Sequence, residues 1–196
     1  MDLVADAKIP FPRPVVFAAY RDKLADLVPY LPNVREIDVR SRKENGSVVE
    51  FENVWHGGGE IPPAARAFLS EKMLSWTDFA KWDESDFTCE WRIQTHAFTE
   101  AVTCKGKNRF FEEDGTTRIE IRGSLSIDSA KVTGVPRLFA GKVSKAIEEF
   151  LGNKIRPNLG SRMEPAAHWA SRNGARRFTA SISSNWAAVM SSSGWR

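Results

Sequence analysis

Cysteine is scarce in this chain, with two in 196 residues. Two thiols cannot make the disulfide framework that holds a small secreted domain together, so stability has to come from a packed core. Histidine is scarce too. His56, His96 and His168 share no ligand spacing, and neither they nor Cys89 and Cys104 complete a zinc set. The sequence therefore points to no metal, no cofactor and no catalytic residue. It also lacks any run of about 18 apolar residues, which excludes a membrane-spanning helix. Met1-Asp-Leu-Val-Ala-Asp-Ala-Lys8 lacks the basic start and apolar core of a signal peptide. A reduced, cytoplasmic setting is the expectation. Excess charge of one sign is small as well, 28 basic against 25 acidic residues. Five of the arginines and one glutamate fall in residues 161–196, which leaves 23 basic against 24 acidic in residues 1–160. That near-neutral part offers no basic face for nucleic acid, and the basic character belongs to the tail.

What is present is a succession of alternating segments. Leu3, Ala5, Ala7 and Ile9 alternate with polar residues and predict a first strand. Pro10, Pro12 and Pro14 end it, and Pro14 suits a helix's first turn. Val16, Phe17, Tyr20, Leu24, Leu27, Val28 and Leu31 then recur with helical spacing, split into two short helices near Arg21–Leu24. A hairpin follows, with Glu44-Asn-Gly46 at its tip. A three-residue loop there pairs Val39 with Phe51 and Ile37 with Asn53. Asn45-Gly-Ser47 matches the glycosylation pattern, but here it reads as turn chemistry. Ala64–Met73 fits either a short strand or a helical turn. Trp76–Trp82 predicts a strand. Phe87, Cys89, Trp91 and Ile93 alternate with polar residues in the next one. A turn near His96-Ala97 would pair Cys89 with Cys104 and Trp91 with Val102. Asp114-Gly115 closes the last hairpin and pairs Phe110 with Ile119, which also sets Gly106 opposite Gly123.

After the strands comes a long amphipathic helix. Val135, Phe139, Val143, Ile147, Leu151 and Ile155 recur every four residues, which lays an apolar stripe on one face. Such a stripe has to be buried against the common face of the preceding strands. Residues 161–196 change composition to Ser, Ala, Arg and Asn, with no periodic apolar face, and read as a disordered tail. The organisation expected is one domain over 1–160 and that tail.

This order of elements, with Gly-x-Pro-x-x-x-x-Gly-Lys-Val at 134–143 and Lys154-Ile-Arg-Pro-Asn158, resembles a bacterial branch of the START-like superfamily. The superfamily is also called Bet v 1-like, SRPBCC or polyketide cyclase/dehydrase. The resemblance covers residues 3–160. It implies an α+β helix-grip fold: a curved antiparallel sheet of about seven strands, two short helices and a long C-terminal helix. It also implies binding of lipids, sterols, polyketides or quinone-like molecules, with some members enzymes. No shared catalytic signature comes with it, so no catalytic residue is carried over.

Two motif matches fail. His56-Gly-Gly-Gly59 copies an esterase oxyanion loop, but the chain has no Gly-x-Ser-x-Gly nucleophile. Gly134 and Gly141-Lys142 are too widely spaced for a phosphate loop, and Val143 replaces its Ser or Thr. The registers above instead turn Trp55, Trp82, Trp91, Val102, Phe110 and Ile121 to one concave face. Phe139 and Val143 would meet them from the helix. Asn53, Asp78, Glu100 and Asn108 would face the same side as polar anchors for a ligand head group. Two placements stay open for the carboxylates: inward, or Glu100 at a strand end in solvent with Asp78 out of register. The sequence thus predicts a small hydrophobic ligand between sheet and helix, reached near the Gly57–Pro63 loop. Two rival readings are an enzyme using Asp78 or Glu100 as acid/base, and a lipid-transfer protein whose basic tail makes peripheral contact with a membrane.

Overall fold

A computed structural model describes residues 1–31, 34–58, 74–132 and Lys145. The element order is β1 (Asp2–Ile9), α1 (Arg13–Asp22), a 3-10 turn (Ala25–Tyr30), β2 (Val34–Asn45), β3 (Val48–Gly57), β4 (Ser75–Asp83), β5 (Thr88–Thr95), β6 (Val102–Glu113) and β7 (Thr116–Ile127). The strands form one antiparallel, curved sheet in the order β1-β7-β6-β5-β4-β3-β2. The chain meanders from β2 to β7, and β1 returns beside β7. The α+β class and the short helices after β1 agree with the sequence reading. The expected helix over 135–155, the Ala64–Met73 segment, most of the Gly57–Pro63 loop and the tail lie outside the described residues. Lys145 alone is described there, helical and exposed.

Alternation decides the faces. In β1 and in β3 to β7 one set of residues turns to the concave side and forms the main core, including Leu3, Phe51, Trp82, Trp91, Val102, Cys104, Phe110, Ile121 and Leu125. Helix α1 begins at a proline-rich start, where the amides of Val15 and Val16 bond to Pro12 O. It buries Val16, Phe17, Ala19 and Tyr20. The Phe17 ring meets Trp82, Phe87 and Phe110 edge-on, with centroids 5.2, 5.3 and 5.2 Å away. Helix α1 therefore plugs one end of the concave face. Near the other end, Leu31, Val34, Ile37 and Trp55 form a second cluster, with Trp76 stacked on Trp55 at 5.7 Å.

Two predicted registers shift. The β2–β3 hairpin turns at Gly46-Ser47, pairing Asn45 with Val48, and β2 is irregular at two points, between Val34 and Glu36 and between Val39 and Ser41. Gly46 takes φ 60° at the first turn position, a backbone that glycine adopts without strain. Val39 thus pairs with Asn53 and Ile37 with Trp55. The β5–β6 connection is not a tight turn but the segment 96–101, in which the amides of Ala101 and Val102 both bond to Phe98 O. Cys89 pairs with Asn108, Trp91 with Gly106, and Ile93 with Cys104. The β5–β6 shift and that of Ile37 and Val39 are even, so these side chains keep their predicted faces, whereas Ser41–Asn45 slip by three and turn Arg42 and Glu44 to the concave side. The β6–β7 hairpin has the predicted register, with Phe110 opposite Ile119 and Gly106 opposite Gly123.

An ionic cluster pins α1 to the sheet. Arg21 grips Asp22 through Nε at 3.0 Å and Nη2 at 2.9 Å, and reaches Glu84 at 3.1 Å. Arg42 of β2 donates to Asp22 at 2.8 Å and to Glu44 at 2.7 Å. Burial pushes the Asp22 carboxyl up, but hydrogen bonds and charge from Arg21 and Arg42 outweigh it and hold the group below its ordinary 3.8. A carboxylate depressed by folding adds stability above its unfolded value, and that stability is lost as pH falls through the folded value. Asp22→Asn should therefore lower stability in urea melts at about pH 7, and the deficit should shrink once the pH drops well below about 4. A deficit equal at both pH values would show that the pairing carries no charge-dependent stability.

Candidate functional site

The concave wall is built in cross-strand rows. One row runs Phe51, Ala80, Trp91, Gly106, Gly123, Leu3. Trp91 is the one large ring in its middle. A Cβ built on Gly123 would stand 2.7 Å from the indole Cη2, and one on Gly106 would also run into the indole. The two glycines thus give the ring a place on the sheet. Its Nε1 donates to Asn108 Oδ1 at 2.9 Å, a buried bond that fixes the ring's direction.

The next row holds the polar groups: Asn53, Asp78, Ile93, Cys104, Leu125. Asn53 and Asp78 are 2 % and 9 % exposed, so both are enclosed among apolar neighbours. Trp55 Nε1 and Asn53 Oδ1 lie close to this end of the wall as buried polar atoms, and Asn53 Oδ1 has no hydrogen-bond partner among the described residues. Cys104 is buried beside them. Burial, and then the negative charge of Asp78, push its thiol up to about 12. That thiol stays protonated at neutral pH and cannot serve as a nucleophile or thiolate ligand. Cys89 and Cys104 form no disulfide and lie on different rows, so they are not the adjacent pair that the sequence suggested.

Of the residues predicted for the site, Trp82, Trp91, Val102, Phe110 and Ile121 share the main core, and Trp55 belongs to the second cluster. Asn53, Asp78 and Asn108 are buried on the wall. Glu100 is not on it. It falls in the 96–101 connection and is exposed, because the strand pairing starts only at Val102. Phe139 and Val143 lie outside the described residues. The sequence reading missed Ala80, Ile93 and Cys104 as wall residues, although the Cys89-to-Ile93 alternation already held the signal for Ile93.

The convex face carries a separate polar group. His96 bonds Ser75 Oγ through Nδ1 at 2.7 Å and Thr77 Oγ1 through Nε2 at 2.9 Å. His56 lies 3.2 Å from Asp38. Both ring nitrogens of His96 are thus taken up by hydroxyls, which leaves neither to a carboxylate, so the group lacks the third member of a nucleophilic triad. Among the described residues, no cluster of three or more His, Cys, Asp or Glu is placed to hold a metal. No described helix is long and apolar enough to cross a membrane.

No protein-family model matches the chain, and no curated protein matches it. Solved structures do. The Zhui aromatase/cyclase from Streptomyces sp. R1128 aligns with TM-score 0.61 and 15% identity over 88% of this chain and 94% of its own. The chain has a START-like, Bet v 1-like fold. TTHA0849 from Thermus thermophilus aligns with TM-score 0.57 and 17% identity, over 85% of this chain and 97% of that one. The di-domain aromatase/cyclase StfQ of the steffimycin pathway gives TM-score 0.52 and 12% identity, over 87% of this chain and 46% of that one. At these identities the START-like likeness is one of architecture.

The wall can be tested at its tightest point. Gly123→Ala should cost about 1–3 kcal/mol, since the methyl group meets both the Trp91 ring and the backbone oxygen of Lys105, 2.8 Å away. In a Trp91→Leu background the part due to the ring should be lost and the cost should fall. Chemical denaturation of the four proteins in a double-mutant cycle measures it. An equal cost in both backgrounds would mean that the backbone, not the indole, fills the space over Gly123.

Proposed function

We propose that this protein binds or carries a small hydrophobic ligand, lipid, sterol, polyketide or quinone-like, against the concave wall and beneath its C-terminal helix. The observation that carries the reading is the wall itself. Indoles and aliphatic side chains share one face with a few enclosed polar groups, the chemistry of an apolar pocket with orienting contacts. The START-like fold supports it, since the architecture grips ligands on this side of the sheet. Residues 135–155, with Phe139 and Val143 turned inward, would close the pocket. Residues 161–196 would form a tail outside it. A cytoplasmic setting fits two buried thiols that form no disulfide.

A second reading has one observation in its favour. Asp78 is a carboxylate held in an apolar wall, the setting in which a general acid or base is tuned. An aromatase/cyclase is among the proteins of similar architecture. Under this reading Asp78 would move a proton on a bound polyketide-like substrate. Asp78→Asn separates the two, because it would stop turnover and leave binding in place.

The binding reading is tested with Nile red, a neutral dye that carries no N–H or O–H donor. The dye should bind saturably at about one equivalent and take energy from the wall tryptophans. Ala80→Phe, which puts a ring between Phe51 and Trp91, should weaken it by about tenfold or more, the scale of overpacking a fitted site. Absence of saturable binding by the dye, and by lipids, sterols and aromatic polyketides, would remove the function and leave the fold.

A further inference from the structure

We propose that the ligand is a neutral molecule presenting a hydroxyl or amine N–H donor, and that Asn53 Oδ1 is the acceptor that selects it. This rests on the reading of the concave wall as a ligand site. Asn53 is 2 % exposed, so its side chain is closed off from bulk water. Its Oδ1 is a buried oxygen with no hydrogen-bond partner among the described residues. A buried acceptor left unmatched is costly, and native structures keep one only where something else supplies the donor. The pleat turns Asn53 to the concave side, between Phe51 and Trp55 on its own strand and opposite Val39 and Asp78 on its neighbours. A donor-bearing ligand lying on the wall reaches this oxygen while its apolar body covers Ala80 and Trp91 in the adjoining row.

The charge of the wall narrows the class. Asp78 stands directly opposite Asn53. Outside the two irregular points of β2, the register puts a single cation of the described strands on this face, Arg42. Arg42 is already held by Asp22 and Glu44, with its guanidinium 5.1 Å over the Phe51 ring. A ligand carboxylate or phosphate placed against Asn53 Oδ1 would meet an acceptor and stand beside the Asp78 carboxylate, where the regular register of the described strands brings no cation other than Arg42. A phenol, a sterol-type alcohol or a neutral amine meets what it needs. The wall therefore discriminates by the sign of the hydrogen bond: it rejects free fatty acids and acidic lipids, and it accepts neutral hydroxylated rings.

Three ligands of one shape test this by displacing Nile red at about pH 7: 2-naphthol, 2-methoxynaphthalene and 2-naphthoate. The naphthol should bind about tenfold tighter than the methyl ether, the scale of one buried hydrogen bond, and the naphthoate should be the weakest. Asn53→Leu should bring naphthol and ether within about twofold of each other. Asn53→Ala, which removes the same oxygen without adding bulk, should do likewise. Asn53→Leu should also raise the melting temperature of the unliganded protein, because it removes an unmatched buried acceptor. Equal affinity for naphthol and ether in the wild type overturns the assignment, as does a naphthol advantage that survives both substitutions, or a naphthoate that binds best. Those outcomes leave the hydrophobic site standing. Failure of Nile red itself to bind removes the site and this assignment together.

Discussion

The Trp91 indole can lie against the sheet only because two neighbouring strands present no side chain beneath it. Gly106 and Gly123 stand side by side on β6 and β7, and a methyl group on either would collide with the ring. Ala80 flanks Trp91 on its other side, and Asn108 holds its Nε1. Once the ring is fixed, the rows above and below take their roles. Toward α1, Trp82, Phe110 and Phe17 close into an aromatic plug. Away from it, Asn53, Asp78 and Cys104 are buried on a stretch of wall beyond the α1 plug. The polar row is thus a consequence of packing as much as of sequence. It sits where the plug ends.

Under the proposed reading, this geometry makes a sheet with ordinary alternation a selective surface. The convex side spends its charges in pairs such as Arg122 with Asp6 at 2.7 Å and Lys107 with Glu90 at 3.2 Å, both solvent-exposed and each worth little. The concave side has few polar atoms, and each one is consequential because it is shut away from water. Asn108 is matched by Trp91. Cys104 is kept a neutral thiol by burial and by Asp78. Asn53 brings an oxygen that the described wall does not match. Binding specificity in such a site follows from what the protein leaves undone.

Much of this was legible from residue order. The β6–β7 register followed from Asp114-Gly115, both at positive φ, because a two-residue turn leaves the strands no freedom to slide. The other two hairpins were not legible. The β2 irregularity near Arg40 has no residue signature, and the 96–101 connection contains neither Gly nor Pro to mark its length. Face assignments on β3 to β7 survived because the β5–β6 slip is of an even number of residues and preserves the pleat, while the tip of β2 slipped by three and changed face. Asn53, Asp78 and Asn108 lie on the face their registers gave them, while Glu100 takes the other placement left open for it, in solvent on the connection. The neighbour relations that give the site its chemistry could not be read at all. Asp78 reaches Cys104 across β5, and Trp91 seats on β6 and β7. Both depend on absolute register rather than parity.

The central claim is that the concave wall holds one neutral, largely apolar molecule. Native mass spectrometry of the protein purified under gentle conditions from the cells that make it tests this most directly. The account predicts a one-to-one adduct, released by organic solvent as a neutral hydroxyl- or amine-bearing compound and lost from the Ala80→Phe variant. A protein that travels at its bare mass, and takes up nothing from a total extract of those cells, would contradict it.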